Sequence, residues 1–158
     1  MMFKFLNTFK NSGKSSDIKQ ETIKLGECIA AALSGDTEAQ CDLAELYEDA
    51  GLGLEENECM AYAWYLEAAE HGSIGAMCKL AEVHEEGLLG LSEDEEEAFK
   101  WYMKAAKHGD ADSMYTVAEA YYYGNLEVEE DEDEAYKWYR KAARNGHDGA
   151  KRMLDNFD

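Results

Sequence analysis

Tryptophan occurs three times in this chain, at Trp64, Trp101 and Trp138, and both intervals are 37 residues. Each opens a near-identical phrase: Trp64-Tyr65-Leu66-Glu67-Ala68-Ala69, Trp101-Tyr102-Met103-Lys104-Ala105-Ala106, Trp138-Tyr139-Arg140-Lys141-Ala142-Ala143. Gly72, Gly109 and Gly146 keep the same interval, as do Leu43, Leu80, Val117 and Leu154. Repetition at this period means one supersecondary unit stacked on copies of itself, which predicts a solenoid. Such stacks commonly bind other proteins rather than catalyse, because their long surfaces present side chains without a deep, closed pocket.

The period separates two kinds of segment. Over 37–50, Ala39, Leu43, Ala44, Leu46 and Tyr47 form a helical apolar stripe, with Asp36 as N-cap. Gly51-Leu52-Gly53-Leu54 breaks it. A second helix, from about Asn57 to His71, buries Ala61, Trp64, Tyr65, Ala68 and Ala69 and stops at Gly72 in a left-handed conformation. Units 74–110 and 111–147 repeat this layout, so the complete units are 37–73, 74–110 and 111–147. Paired alanines let one helix approach closely, and the Trp-Tyr pair fills the space beyond.

The flanks fit the same template. Ala31-Ala32-Leu33-Ser34-Gly35 aligns with Ala68 to Gly72, making 17–36 a degenerate amino-terminal cap helix with Asp17 as N-cap. Glu27 and Cys28 stand there in place of Trp and Tyr, as suits a water-facing end. Residues 148–158 read as a carboxy-terminal cap helix around Ala150 and Leu154, the repeat domain spans 17–158, and 1–16 falls outside the pattern as a mobile segment. The absence of proline favours uninterrupted helices, and the expected fold class is all-α.

The phrases Leu-Ala-x-x-Tyr, Gly-x-Gly-Leu, Ala-Phe-Lys-Trp-Tyr-Met-Lys-Ala-Ala and the closing His-Gly resemble Sel1-like repeats, relatives of the tetratricopeptide repeat, over 28–154. The resemblance implies an α/α solenoid of antiparallel hairpins, a superhelix acting as adaptor or scaffold, often in bacteria. There are departures. The usual glycine after the first-helix leucine is Ala44, Ala81 and Ala118; the loop is one residue longer and lacks the common proline. The second turn glycine is Glu127 in the third unit, where a different turn is expected. Some members are secreted, with regularly spaced cysteine pairs that this chain lacks.

Formal net charge is −20, from 35 acidic against 15 basic residues. That excess repels nucleic acid and anionic membrane and attracts basic proteins, although solubility alone also accounts for it. Cys28, Cys41, Cys59 and Cys78 contain no C-x-x-C pair. Stacked units lie roughly 10 Å apart, beyond the disulfide Cα–Cα limit of about 7 Å. Free thiols in a reducing compartment follow, and with no secretory signal or membrane-spanning stretch a cytoplasmic location is expected.

In a superhelix the first helices line the concave face. One of their columns reads Glu45, Glu82, Glu119; the next two read Glu48, Glu85, Tyr122 and Asp49, Glu86, Tyr123, with Tyr115 where the second unit has Cys78. Carboxylates beside tyrosines suit a basic protein or peptide carrying Arg or Lys, through charge-assisted hydrogen bonds and cation–π contact. The plainer reading is a solvated helix face with a capping aromatic cluster.

The runs Glu93 to Glu97 and Glu127 to Glu134 match the positive helix N-termini that follow them, and no ordered metal-binding loop is present. His71 and His108 precede the terminating glycine, His84 shares a column with Tyr47 and Tyr121, and His147 lies in a loop. No catalytic constellation, metal site or cofactor cradle emerges. The leading expectation is a non-catalytic protein–protein interaction module. The alternative is a cytosolic immunity protein that neutralises a basic toxin, such as a nuclease, by occluding its active site; a structural subunit is a third reading. Oligomeric state is not legible.

Overall fold

The computed structural model describes residues 15–155 and 157, which are helical with no strand among them. The fold is an all-α helical repeat in two compact units, 1–73 and 74–158. The first contains α1 (Ser15–Leu33), α2 (Thr37–Glu48), a 3-10 turn (Gly51–Gly53) and α3 (Glu58–Glu70). The second contains α4 (Ile74–Glu86), α5 (Glu95–Lys107), α6 (Ala111–Tyr123), α7 (Glu132–Arg144) and α8 (Asp148–Leu154). Among the described residues α1 covers Ser15–Leu33, so Asp17 lies within the helix rather than at its N-cap, and Ser15 and Ser16 belong to the helix. The rest of the segment expected to be mobile lies outside the described residues.

Capping explains most boundaries. Asp36 accepts the N–H groups of Glu38 and Ala39, and Asp110 that of Ser113, each satisfying helix-end donors without an intrahelical partner. Asn57, Asp94 and Asp131 cap the second helices in the same way. The N–H of each of these three donates to a carbonyl of the first helix: Tyr47 at 2.8 Å, His84 at 2.7 Å and Tyr121 at 2.8 Å. One bond, repeated three times, thus ties the end of each loop to the helix it left.

The loops are held in left-handed backbone. Leu52, Leu89 and Leu126 have φ of 47°, 52° and 55°, and the next position has Gly53 at 77°, Gly90 at 73° and Glu127 at 55°. The turn at Glu127 therefore does not differ as expected. Its neighbours impose the conformation, and the side chain bears the strain of Cβ against the following carbonyl.

The core is a set of fixed columns. Ala44, Ala81 and Ala118 on the first helices are fully buried, as are Ala61, Ala98 and Ala135 on the second. Leu43, Leu80 and Val117 fill the space between them. In the first unit Leu25 and Ala32 of α1 join Ala39, Leu43 and the loop residue Leu54. In the second, Met114, Val117, Trp138, Tyr139, Ala142 and Ala150 pack with Phe157 at the edge.

The tyrosine after each tryptophan adds a polar tie within its hairpin. Tyr65 donates its hydroxyl proton to Glu48 at 2.9 Å, and Tyr102 donates to Glu85 at 2.7 Å, each reaching 17 residues back. The third hairpin has Tyr122 where the others have glutamate, and the buried Tyr139 hydroxyl has no partner among the described residues. Rings replace the bond: Tyr139 lies 5.6 Å from Tyr115, 6.3 Å from Tyr122 and 6.0 Å from Phe157 between centroids.

Three outcomes follow. Glu127→Gly relieves the left-handed strain and should raise unfolding free energy by about 1 kcal/mol, read as a higher urea midpoint at constant slope. Tyr102→Phe should cost about 1 kcal/mol while Tyr139→Phe is neutral or stabilising, because only the former deletes a made bond. Burial, then the glutamate bond, raise the proton affinity of Tyr65 and Tyr102 in the folded state. Stability from this source is fully present below the ordinary tyrosine value of 10.0 and is lost as pH rises above it. The midpoint should fall above that pH, and the fall should be shallower in the Tyr65→Phe/Tyr102→Phe variant.

Candidate functional site

Each unit has an open cleft bordered by acidic side chains of its first helices. In the first unit a cleft of about 450 Å³ is lined by Lys24, Cys28, Asp42, Glu45, Leu46 and Asp49. Glu45 and Asp49 are exposed, one on the last turn of α2 and the other its C-cap. In the second unit a cleft of about 350 Å³ is lined by Glu85, Glu95, Thr116, Glu119 and Leu126, so α4 and α6 contribute carboxylates to one depression. Such surroundings favour a cationic group over an anionic one.

The remaining residues singled out from sequence divide by position. Glu82 and Glu86 are exposed on α4, outside the lining of that cleft. Glu48 and Glu85 accept the tyrosine hydroxyls described above and so hold their hairpins together as well as facing outward. Tyr122 and Tyr123 contact edge to face at 4.8 Å, and Phe157 stands against Tyr122 at 5.6 Å. Tyr123 is 54% exposed, whereas Tyr115 and Tyr122 are half-buried. The hydrogen bond to Glu119, then burial, push the Tyr115 hydroxyl up to about 12.

His147 is not simply a loop residue. It is the N-cap of α8: its Nδ1 accepts the Ala150 N–H at 3.0 Å, and its ring stacks on Tyr115 at 4.2 Å. The same pair of columns gives Cys41 beside Ser73 at 3.4 Å and Cys78 beside Asp110 at 3.8 Å. The contact position is kept while its chemistry changes from a thiol–oxygen contact to a ring stack. His71 and His108 are helix C-caps, and His71 also meets the buried Gln40 at 3.2 Å.

Asp42, Lys24, Glu95 and Thr116 were not picked out from sequence. Glu95 lies in an acidic run that reads as helix electrostatics, and the packing of α4, α5 and α6 sets it on the same open cleft as Glu119. The tyrosine–glutamate bond did leave a signal: both residues recur at the 37-residue interval, and the third unit breaks the glutamate column alone.

All four cysteines are free, with Cys59 exposed and the others half-buried. Burial raises the proton affinity of the Cys28 and Cys78 thiols, aided by Asp42 and Asp110 respectively. Thiols held protonated are poor nucleophiles and poor metal ligands. Among the described residues no group of three His, Cys, Asp or Glu side chains converges as a metal site, and no helix is long and apolar enough to cross a membrane.

The Sel1 repeat family model matches residues 37–73, 74–110 and 111–147. A Sel1 repeat protein from Oxalobacter formigenes, known from its crystal structure, is 34% identical over 84% of this chain and 98% of its own, with a TM-score of 0.75. The protective antigen c5321 of uropathogenic Escherichia coli, which has the same repeat fold, is 28% identical with a TM-score of 0.66 over 87% of this chain, which spans only 29% of that protein. Cysteine-rich protein B of Helicobacter pylori shares the fold at 22% identity and a TM-score of 0.63, over 90% of this chain and 100% of its own. No curated protein matches the chain. With hairpins, capping pattern and all three units in agreement, the chain is a member of the Sel1 repeat family.

Proposed function

We propose that this protein is a non-catalytic adaptor that holds a basic protein or peptide against the first-helix faces of its hairpins. Repeats of this family generally mediate contacts between proteins. The finer reading rests on one observation: clefts in both units are bordered by carboxylates from equivalent helices, Glu45 and Asp49 in one, Glu85 and Glu119 in the other. Arg or Lys side chains of a partner satisfy these groups, with Glu48, Glu82 and Glu86 extending the negative field and Tyr115, Tyr122 and Tyr123 supplying ring edges and faces. Nucleic acid and anionic membrane are poor partners for a chain of net charge −20. A cytoplasmic setting is proposed with this, since four thiols are left free.

The test uses a fluorescein-labelled peptide of alternating Arg and Ser. Glu45→Lys/Glu82→Lys/Glu119→Lys should weaken its binding by at least about tenfold, since each reversal removes an attraction and adds a repulsion. Raising salt from about 50 to about 500 mM should weaken wild-type binding steeply. The matched control Glu96→Lys/Glu132→Lys/Asp133→Lys changes net charge equally on second-helix N-termini and should leave affinity within about twofold. Equal losses in both variants would mean that bulk charge, rather than these faces, attracts the peptide.

A further inference from the structure

The later hairpins cover their tryptophans with their own lysines. The Lys104 ammonium lies 3.4 Å from the Trp101 ring centroid, and Lys141 sits at the same distance from Trp138. In the first complete hairpin that column holds Glu67, which cannot stack its charge on the negative face of an indole. Two neighbouring columns change with it. Where α5 and α7 carry the ion pairs Lys100–Glu97 (3.1 Å) and Lys137–Glu134 (2.6 Å), α3 carries Ala63 and Met60. Leu33 of α1 stands where later units have Glu70, Lys107 and Arg144, and it is 72% exposed, with Met60 at 37%.

The substitutions together open a groove of about 310 Å³ within the first unit, bordered by Leu33, Met60, Ala63, Trp64, Glu67 and His71. Trp101 and Trp138 are only 5% and 7% exposed, whereas Trp64 is half-buried. In a chain this acidic, the first unit gives up charge on that face at three positions: Met60 and Ala63 of α3 and Leu33 of α1. An apolar patch beside an indole, rimmed by one carboxylate, marks a contact surface.

We propose that this groove is a socket for a lysine side chain of a partner polypeptide, which takes in trans the place that Lys104 and Lys141 take in cis. The ammonium stacks on Trp64 and is neutralised by Glu67, while its methylene stem and an adjoining aliphatic residue lie on Met60, Ala63 and Leu33. The site is on α1 and α3, separate from the first-helix carboxylates, and does not depend on them.

The three indole N–H resonances give a direct readout in the full-length protein, assigned with Trp64→Phe. Titration with the capped tripeptide Gly-Lys-Gly should shift the Trp64 resonance saturably and leave those of Trp101 and Trp138 in place. The norleucine tripeptide, which keeps the stem without the charge, should produce a response at least about fivefold smaller. Glu67→Lys should abolish the response by filling the socket from within, without lowering the thermal midpoint, and Glu67→Gln should weaken it severalfold. Glu45→Lys/Glu82→Lys/Glu119→Lys should leave it unchanged, so this site can fail or stand apart from the first-helix faces. Equal shifts of all three tryptophans, an equal response to norleucine, or an unaltered response in Glu67→Lys would overturn the proposal. So would a Trp64 resonance that moves without peptide on dilution, which assigns the groove to a second copy. Movement in Lys4→Gln/Lys10→Gln/Lys14→Gln would overturn it equally, assigning the groove to the chain's own amino-terminal segment.

Discussion

Close approach of the two helices in each hairpin is the constraint from which the rest follows. Small residues on both helices permit it: Ala44, Ala81 and Ala118 on the first, Ala61, Ala98 and Ala135 on the second, all with no exposed surface. At that separation a leucine or valine fills the remaining space, and a larger side chain in the alanine columns would have nowhere to go. The neighbouring tyrosine ring is held at a depth from which its hydroxyl just reaches the glutamate of the facing helix. Small residues therefore set the geometry, and the large aromatic residues exploit it.

A repeated chain carries its own controls. Where a column is kept in all units, as with the loop-closing bond from Asn57, Asp94 and Asp131 to the preceding helix, the residue serves the hairpin itself. Where one unit departs, the hairpin folds without that residue. The third hairpin exchanges a tyrosine–glutamate bond for a packed set of rings around Tyr139. The first exchanges a lysine-covered tryptophan and two ion-paired positions for an apolar surface edged by Glu67. The rings of the third hairpin surround a fully buried tyrosine, whereas the apolar surface of the first borders an open groove.

The negative charge acts on the same scaffold in two ways. Acidic residues at the N-terminal turns of α5 and α7 oppose the helix dipole, with lysines and an arginine at the opposite ends, and this arrangement is local and self-sufficient. Carboxylates on the first helices have no such local reason. Glu48 and Glu85 are engaged by tyrosine hydroxyls, which fixes their direction without neutralising them. An oriented carboxylate presents less entropy to lose on binding than a freely rotating one.

The period, the helix pairs and most caps were legible from residues alone, because a helix N-cap, a left-handed glycine and a stripe of alanines act over a few positions. Asp36 and Gly72 follow from neighbours within one turn. Asp17 misled because a residue suited to capping also fits within a helix, and nothing nearby in sequence says which. Glu127 misled in the opposite sense: its own preference lost to a loop closed by hydrogen bonds on both sides. The acidic columns were visible as spacing, but which carboxylates meet in a cleft was not, since Glu95 joins Glu119 only through the packing of three helices. Sequence by itself determined which helices form and where they end, for these depend on contacts between near neighbours. Only the tertiary structure decided which glutamates are tied by tyrosines, that His147 caps a helix, and that among the described residues no lysine covers Trp64 beside its open groove, because those depend on side chains meeting across the space between helices.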